Sequence, residues 1–283
     1  SYKVTPVIWR STKREIPMEE RHSLYGFINS DRELYVMPDS VLDNIGDNIV
    51  WFHRNESSIW REVLERQGMA GWTKSHRDPL LYNTYGCLVR GSGLKSVEKA
   101  CLKTTPEKEG RIRIFSTTKN CDNTIEWLSE ISDISKTYEK KKHGEYYKNH
   151  LAYWNSFWKK SYILLSVSEQ AVRISKAYIL QRLVTASSGR GKYPIKCNVS
   201  IFTVDSCDEV KKYDADYRMW GGPYWHQNTR LIYWPLMVSG DYDIMKPFFK
   251  LYLDLLPYAK ANTKRLFNHE GAFYPETFYF WGS

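Results

Sequence analysis

Short apolar runs alternate with polar turns along the first part of the chain. Each run is rich in β-branched or aromatic residues, and residues 111–114 alternate between charged and apolar side chains, as a half-buried strand does. The segment 57–67 instead has helical spacing, with serines at its start and Gly68 after its end. The predicted strands are 7–9, 33–37, 48–52, 82–89 and 111–115. This pattern predicts an antiparallel β-sandwich over residues 1–121.

From residue 122 onward the apolar residues follow helical spacing. Asn123 lies among capping residues, and polar, Lys-rich sequence then continues, so we interpret 122–150 as a helical linker. Further along, an apolar stripe from Val167 to Tyr178 predicts another helix. Residues 151–283 are therefore predicted to be mainly helical.

Two stretches combine aromatic rings with polar side chains that make directional hydrogen bonds. Residues 220–235 contain an imidazole, two amides and a guanidinium among their rings, and residues 271–282 add a carboxylate. Aromatic rings stack on the apolar faces of sugars, and planar polar groups make paired hydrogen bonds with sugar hydroxyls. Both stretches fall in Gly- and Pro-rich loops next to predicted helices, where binding residues often lie. The sequence therefore predicts a carbohydrate site.

Composition is compatible with this prediction. Aromatic residues make up 15% of the 283 residues, with 11 Trp and 21 Tyr, and Tyr and Trp keep a polar group at a wet surface. The formal net charge is +9, but the charge is spread out, and its densest cluster, 136–143, is typical of a solvated helix face. We therefore do not expect a nucleic-acid partner, although charge-driven nucleic-acid binding remains an alternative.

Metal, cofactor and membrane signals are lacking in the sequence. The five cysteines form no CxxC pair and have no histidine at zinc-finger spacing, so we predict no metal site and no cofactor. One disulfide is compatible with the sequence, and Cys197 and Cys207 are the closest pair. No apolar run reaches the roughly 18 residues of a membrane helix, so no membrane span is expected.

The loop sequences resemble the six-hairpin glycosidases, whose (α/α)6 barrel follows an N-terminal β-sandwich. The matches are strongest at residues 193–204 and 220–235, and they are nearest to the glycoside hydrolase family 95 fucosidases. In that family an Asn-Ile-Asn motif precedes Tyr-Trp-Pro and helps to position the attacking water. Aligned on Tyr233-Trp234-Pro235, Asn228 matches the second asparagine, whereas His226 replaces the first, so the resemblance does not extend to fucose specificity.

The resemblance and the residue types together assign candidate roles. Asn228 is expected to orient water or a sugar hydroxyl, or alternatively to cap a helix. His226 is a candidate base or orienting donor. Glu276 is a candidate general acid, because the aromatic residues around it would bury it and raise its pKa, or a hydrogen-bonding clamp on a sugar hydroxyl. Its alternatives are a helix N-cap and a buried salt bridge. The predicted substrate-binding residues are Trp220, Trp225, Asn198, Arg230 and Trp281, which could also serve packing or salt bridges.

We therefore expect a β-sandwich followed by an all-α (α/α)6-type toroid that is incomplete in this chain. The remainder of the barrel would come from further C-terminal sequence or from another chain. The expected function is hydrolysis of a glycosidic bond in a complex polysaccharide or oligosaccharide, with inversion, by a periplasmic or secreted protein. The alternative is a non-catalytic glycan-binding protein.

Overall fold

The computed structural model describes residues 1–18, 21, 33–43, 45–140, 143–196 and 221–283. Its chain falls into two units. The first unit comprises Ser1–Ile16 and Glu33–His143, and the second unit comprises Pro17–Arg32 and Gly144–Ser283. Among the described residues, no helix has both the length and the apolar character that crossing a membrane requires.

The first unit contains small antiparallel sheets. Its strands are β1 (Lys3–Val4), β2 (Arg14–Glu15), β3 (Tyr35–Val36), β4 (Ser40–Val41), β5 (Ile49–Arg54), β6 (Asn83–Gly91), β7 (Leu94–Glu98), β8 (Cys101–Thr104) and β9 (Ile112–Asn120). One sheet has the strand order β4-β5-β6-β9, a second has the order β1-β8-β7, and β2 pairs with β3. Helix α1 (Trp60–Arg66) and a 3₁₀ helix (Ala70–Lys74) lie between β5 and β6 along the chain.

Helix α2 (Thr124–Lys140) covers one face of the four-stranded sheet. Asn123 caps the helix, because its Oδ1 accepts a hydrogen bond from the Glu126 amide at 3.1 Å, and its side-chain amide also donates to the Glu126 carboxylate. Trp127 is fully buried against Phe52, with ring centroids 5.3 Å apart, and its indole donates to the Thr117 carbonyl. The main core of the first unit therefore lies between this helix and the sheet.

Among the described residues, a second sheet covers only one end of the opposite face. There, Ile49 of β5 and Val89 of β6 pack against Leu94 and Leu102 of the three-stranded sheet. Beyond Trp51, the residues on this face are polar or aromatic. This second half of the face, which includes His53 and Tyr85, borders a cavity.

The second unit contains helices and one pair of two-residue antiparallel strands, which two helices separate along the chain. Its elements are α3 (His143–Lys160), α4 (Glu169–Ser188), β10 (Tyr224–Trp225), α5 (His226–Ser239), α6 (Tyr242–Phe267) and β11 (Thr277–Phe278). The helices meet around Phe157, Ala186, Tyr233, Leu236 and Ile244, all of them buried. Ser168 caps α4 by accepting from the Ala171 amide, and Gly240 ends α5 with a left-handed φ of 73°.

The predicted β-sandwich followed by an (α/α)6-type toroid is wrong. The described residues form a mixed α/β protein, with about 19% strand in several small antiparallel sheets and six helices. The largest sheet packs one face on helix α2, and among the described residues a second sheet covers only one end of its other face. Helix α2 lies within the segment 122–150 that we interpreted as a linker. The expected completion of a barrel by further sequence or another chain rested on the toroid and loses its basis with it.

Helix α4 also buries a different face from the one that its apolar stripe predicts. Val167 and Ile174 of that stripe are exposed, at 94% and 57%, whereas Ser175, Arg182 and Thr185 are buried. The reason is a polar contact that the pattern of apolar residues does not reveal. The Arg182 guanidinium binds the Asp241 carboxylate inside the unit, and this pair faces the core.

Candidate functional site

The two aromatic stretches of the sequence meet through a pair of strands. Antiparallel β10 and β11 place Tyr224 opposite Phe278 and Trp225 opposite Thr277. The His226 amide continues the ladder by donating to the Glu276 carbonyl at 2.8 Å. Residues that lie about fifty positions apart in the sequence are thereby brought together at the first turn of α5.

Glu276 caps α5 from outside the helix. Its Oε1 accepts a hydrogen bond from the Gln227 amide at 2.7 Å, whereas the residue at the N-cap position, Trp225, offers no side-chain cap. A carboxylate at this position satisfies a free amide and interacts favourably with the positive end of the helix dipole. The burial that we expected for Glu276 is not found, because the residue is exposed. The alternative role of a helix-capping residue describes this contact.

His226 and Tyr252 form a hydrogen-bonded pair beside this cap. The imidazole Nδ1 and the Tyr252 hydroxyl oxygen lie 2.8 Å apart. The imidazole also stacks near Phe248 of α6, with ring centroids 6.1 Å apart. Tyr274, from the segment before β11, donates its hydroxyl proton to the Tyr252 carbonyl at 2.6 Å. Tyr252 and Phe248 of α6 therefore orient the imidazole, and Tyr274 in turn holds the backbone of Tyr252.

The Tyr252 hydroxyl determines which nitrogen of the His226 ring carries the proton. Burial, with smaller effects of the nearby Glu276 and Tyr274 side chains, raises the pKa of Tyr252 to about 12, so its hydroxyl keeps its proton at neutral pH. When the imidazole is neutral, this hydroxyl can donate to Nδ1 of His226, and the ring proton then lies on Nε2. Within the described part of the chain, Nε2 has no hydrogen-bond partner. It is a donor that a ligand can use.

The sequence did not identify Tyr252 as a site residue. Helical spacing places it on the same face of α6 as Ile244, Phe248 and Leu255, which is the apolar face. The ring does pack there, against Phe278. Only the hydroxyl group reaches His226, and no periodic pattern distinguishes a tyrosine that uses its hydroxyl from one that does not.

The remaining candidate residues occupy different surroundings. Asn228 lies in the first turn of α5 and is exposed, so it is not the cap of that helix. The Arg230 guanidinium lies over the Trp234 ring at 5.2 Å, and its buried Nε has no hydrogen-bond partner among the described residues. Trp225 is a half-buried residue of β10.

Trp281 is buried, and its ring stacks on Tyr279 with centroids 4.3 Å apart. This ring therefore packs its own segment and is not open to a sugar. Trp220 and Asn198 lie outside the described residues, as do Cys197 and Cys207.

Among the described residues, the site brings together groups that hydrogen-bond to hydroxyls and one carboxylate, that of Glu276. The other acidic residues of α6 and of the loop after it are paired with lysine, since Asp243, Asp254 and Glu270 contact Lys246, Lys250 and Lys264. Across the described ranges, no cluster of three or more histidine, cysteine or acidic side chains could hold a metal ion. The arrangement can bind a polyhydroxylated ligand and can supply one acid–base group.

Alkaline pH is expected to destabilise the second unit. Burial raises the pKa values of Tyr233, Tyr252 and Tyr258 to about 12, whereas a tyrosine in an unfolded chain ionises near pH ~10. The folded state holds more protons than the unfolded state between these values, so the stabilisation is complete below pH ~10 and is lost as pH rises through ~12. Urea midpoints that stay constant across this window would contradict the assignment. Tyr252→Phe should make the decline with pH less steep.

Comparison with known proteins identifies a family for the first part of the chain. Residues 1–163 match the model DUF5703_N, which is described as a domain of unknown function (DUF5703). The match covers more than half of the 283 residues, including the first unit and α3, and it ends before β10. No curated protein matches the chain. The site at the start of α5 thus lies outside the matched residues.

Proposed function

The chain belongs to the DUF5703 family, whose description names no activity, and we propose from the site itself that it binds carbohydrate at the start of α5. We further propose that this binding serves the hydrolysis of a glycosidic bond. The observation that carries the proposal is the pairing of β10 with β11, which sets Glu276 beside His226 at one helix end. The resemblance of residues 220–235 to the six-hairpin glycosidases supports the same conclusion.

Each polar group has a role that its position allows. The Nε2–H of His226 donates to a sugar hydroxyl, held in place because Nδ1 is bound by Tyr252. The exposed amide of Asn228 orients a hydroxyl or a water molecule at the same helix turn. Glu276 accepts hydrogen bonds through the carboxylate oxygen that does not cap the helix, and in hydrolysis it would protonate the leaving oxygen.

Inverting hydrolysis places a second requirement on the site. It normally uses two carboxyl groups about 6.5–9.5 Å apart, so that a water molecule fits between the second carboxylate and the sugar. Asp205, Asp214 and Asp216, which precede residue 220 in the sequence, lie outside the described residues. Glu270 is described, but it is exposed and contacts Lys264.

Glycan binding without hydrolysis is the second candidate function, and one observation favours it. Glu276 is exposed and already caps α5, whereas a general acid at neutral pH is normally buried so that its pKa rises. In this alternative the same residues bind the sugar, and no bond is broken. A glycan-related role of either kind is consistent with a periplasmic or secreted location, which we also propose.

A screen of the chain against a panel of polysaccharides and oligosaccharides tests both functions. Release of reducing ends measures hydrolysis, and calorimetric titration with the same panel measures binding. If Glu276 is the general acid, Glu276→Gln should lower the rate of hydrolysis by about 10²–10⁴-fold. His226→Ala should weaken glycan binding in either case.

Glu270→Gln is the matched control, because Glu270 is an exposed glutamate in the same loop that contacts Lys264 and not α5. It should leave both measurements unchanged. Binding without release of reducing ends would select the second candidate function. Failure to bind any glycan would contradict both functions. If the chain instead binds nucleic acid, and that binding weakens steeply with added salt, the charge-driven alternative would be favoured.

A further inference from the structure

A second polar site lies in the first unit, on the half of the four-stranded sheet beyond its contact with the three-stranded sheet. Strand register places His53 opposite Tyr85 and Trp51 opposite Cys87, and it places Ser116 and Thr118 next to them on β9. Side chains at alternate positions point to one face, and the intervening Thr117 points the other way, because its hydroxyl bonds Glu130 of α2. These residues border a cavity of about 300 Å³.

Asp39, His53 and Arg10 form a nearly buried cluster at the centre of this site. His53 Nδ1 lies 2.9 Å from Asp39 Oδ1, and Arg10 reaches the same oxygen at 3.3 Å. The Asp39 and His53 side chains are only 8% and 11% exposed. Removing a carboxylate and a guanidinium from water costs free energy that their attraction often does not recover. Stability of the fold alone therefore does not explain why these charged groups lie here.

Asp39 fixes which ring nitrogen of His53 is available. Since the carboxylate accepts from Nδ1–H, the neutral imidazole presents the lone pair of Nε2. Nε2 has no hydrogen-bond partner in the described part of the chain, and it is not a buried atom. His53 therefore offers a fixed acceptor where a ligand hydroxyl could donate.

The other groups around the cavity define what kind of ligand fits. Among the described residues that border the cavity, Arg10 and Asp39 form an ion pair, so neither sign of charge dominates this lining. Ser116 and Thr118 are exposed, and the Trp51 ring supplies flat apolar surface. The Tyr85 ring packs beside His53, with ring centroids 5.3 Å apart, and lies under the Arg10 guanidinium at 5.6 Å. An apolar wall with a few convergent polar groups is the usual composition of a small-molecule site, and this volume is at the lower end of the usual range of about 300–1,000 Å³.

We propose that this cavity binds a neutral polyhydroxylated ring, such as one sugar unit of a glycan, with a ring hydroxyl donating to Nε2 of His53. The site is separate from the one at α5 and does not depend on it. It would let the first unit hold a glycan whether or not the second unit hydrolyses one.

Cys87 gives a direct readout of occupancy, because it borders the cavity and is a half-buried free cysteine. Burial raises the pKa of its thiol, so labelling is slow and must be compared at one fixed pH. We would treat the full chain with N-ethylmaleimide and follow the Cys87 peptide by mass spectrometry, with and without neutral mono- and disaccharides. A sugar in the cavity should slow Cys87 labelling, while buried Cys101 should be unaffected.

Variants separate the proposal from a change in fold. His53→Ala should raise the sugar concentration needed for half-protection about tenfold, the equivalent of one hydrogen bond. Thr118→Val removes an exposed hydroxyl at nearly constant shape and should weaken protection to a smaller extent. His76→Ala, at an exposed histidine of the same unit that stacks on Trp72, should leave protection unchanged.

The result distinguishes this site from the one at α5. Glu276→Gln and Tyr252→Phe should leave protection of Cys87 intact even if they abolish glycan binding or hydrolysis at α5. The proposal is overturned if no neutral sugar slows labelling, if His53→Ala is half-protected at the same sugar concentration as the unchanged chain, or if sulfate or simple carboxylates protect where neutral sugars do not.

Discussion

Replacing Arg182 with leucine is expected to lower the free energy of unfolding by about 3–5 kcal/mol, because it leaves a buried carboxylate without its partner. The Arg182 and Asp241 side chains are 4% and 1% exposed, and two hydrogen bonds of 3.0 Å join them. The guanidinium also donates to the Phe157 carbonyl and stacks over the Phe157 ring at 4.0 Å. One side chain therefore joins α3, α4 and the turn before α6. Far-UV circular dichroism during urea unfolding measures the loss.

Two further variants test the physical reason for this loss. Lys250→Ala breaks the exposed pair with Asp254 and should change stability by less than about 1 kcal/mol. Combining Arg182→Leu with Asp241→Leu should recover part of the loss, because neither charge then remains buried. An Arg182→Leu variant as stable as Lys250→Ala would show that the pair is not buried as described.

Replacing Trp127 with alanine is expected to cost about 3–5 kcal/mol in the first unit, since it leaves a large cavity between α2 and the sheet. The ring has no exposed surface, it contacts Phe52, and its indole proton is bonded to the Thr117 carbonyl. Ile125→Ala on the same helix is the control, because Ile125 is 74% exposed. Circular dichroism is the suitable probe, since the substitution itself changes the fluorescence. Equal midpoints for the two variants would contradict the packing of α2 on the sheet.

The sequence predicted the local elements of the first unit well where a partner strand lies beside them. Segments 48–52, 82–89 and 111–115 all fall within or overlap strands of the four-stranded sheet, and Asn123 caps α2 as expected. Residues 7–9 have equally apolar character but form no strand, and Val7 is 82% exposed. A local pattern reports β propensity, whereas a strand also requires a hydrogen-bonding neighbour that the pattern cannot identify.

The global fold and the sites depended on contacts between distant residues. The toroid was inferred from the resemblance of loop sequences, which carry little information about how helices pack. Strands β10 and β11 have two residues each, too few for any periodicity, yet their pairing builds the site at α5. The contact between Asp39 and His53 likewise follows from sheet register, and neither residue stands in a motif.

The central claim is that a glycan binds at the start of α5, and the imidazole of His226 reports this most directly. Side-chain ¹H–¹⁵N spectra of the full chain would contain signals from seven histidines, and His226→Gln would identify the one that belongs to His226. On addition of a glycan that binds by calorimetry, we predict a shift of the His226 signals that is saturable and is weakened in Glu276→Gln but not in Glu270→Gln. A glycan that binds the His53→Ala chain as tightly as the unchanged chain, while the His226 signals stay in place, would contradict the account.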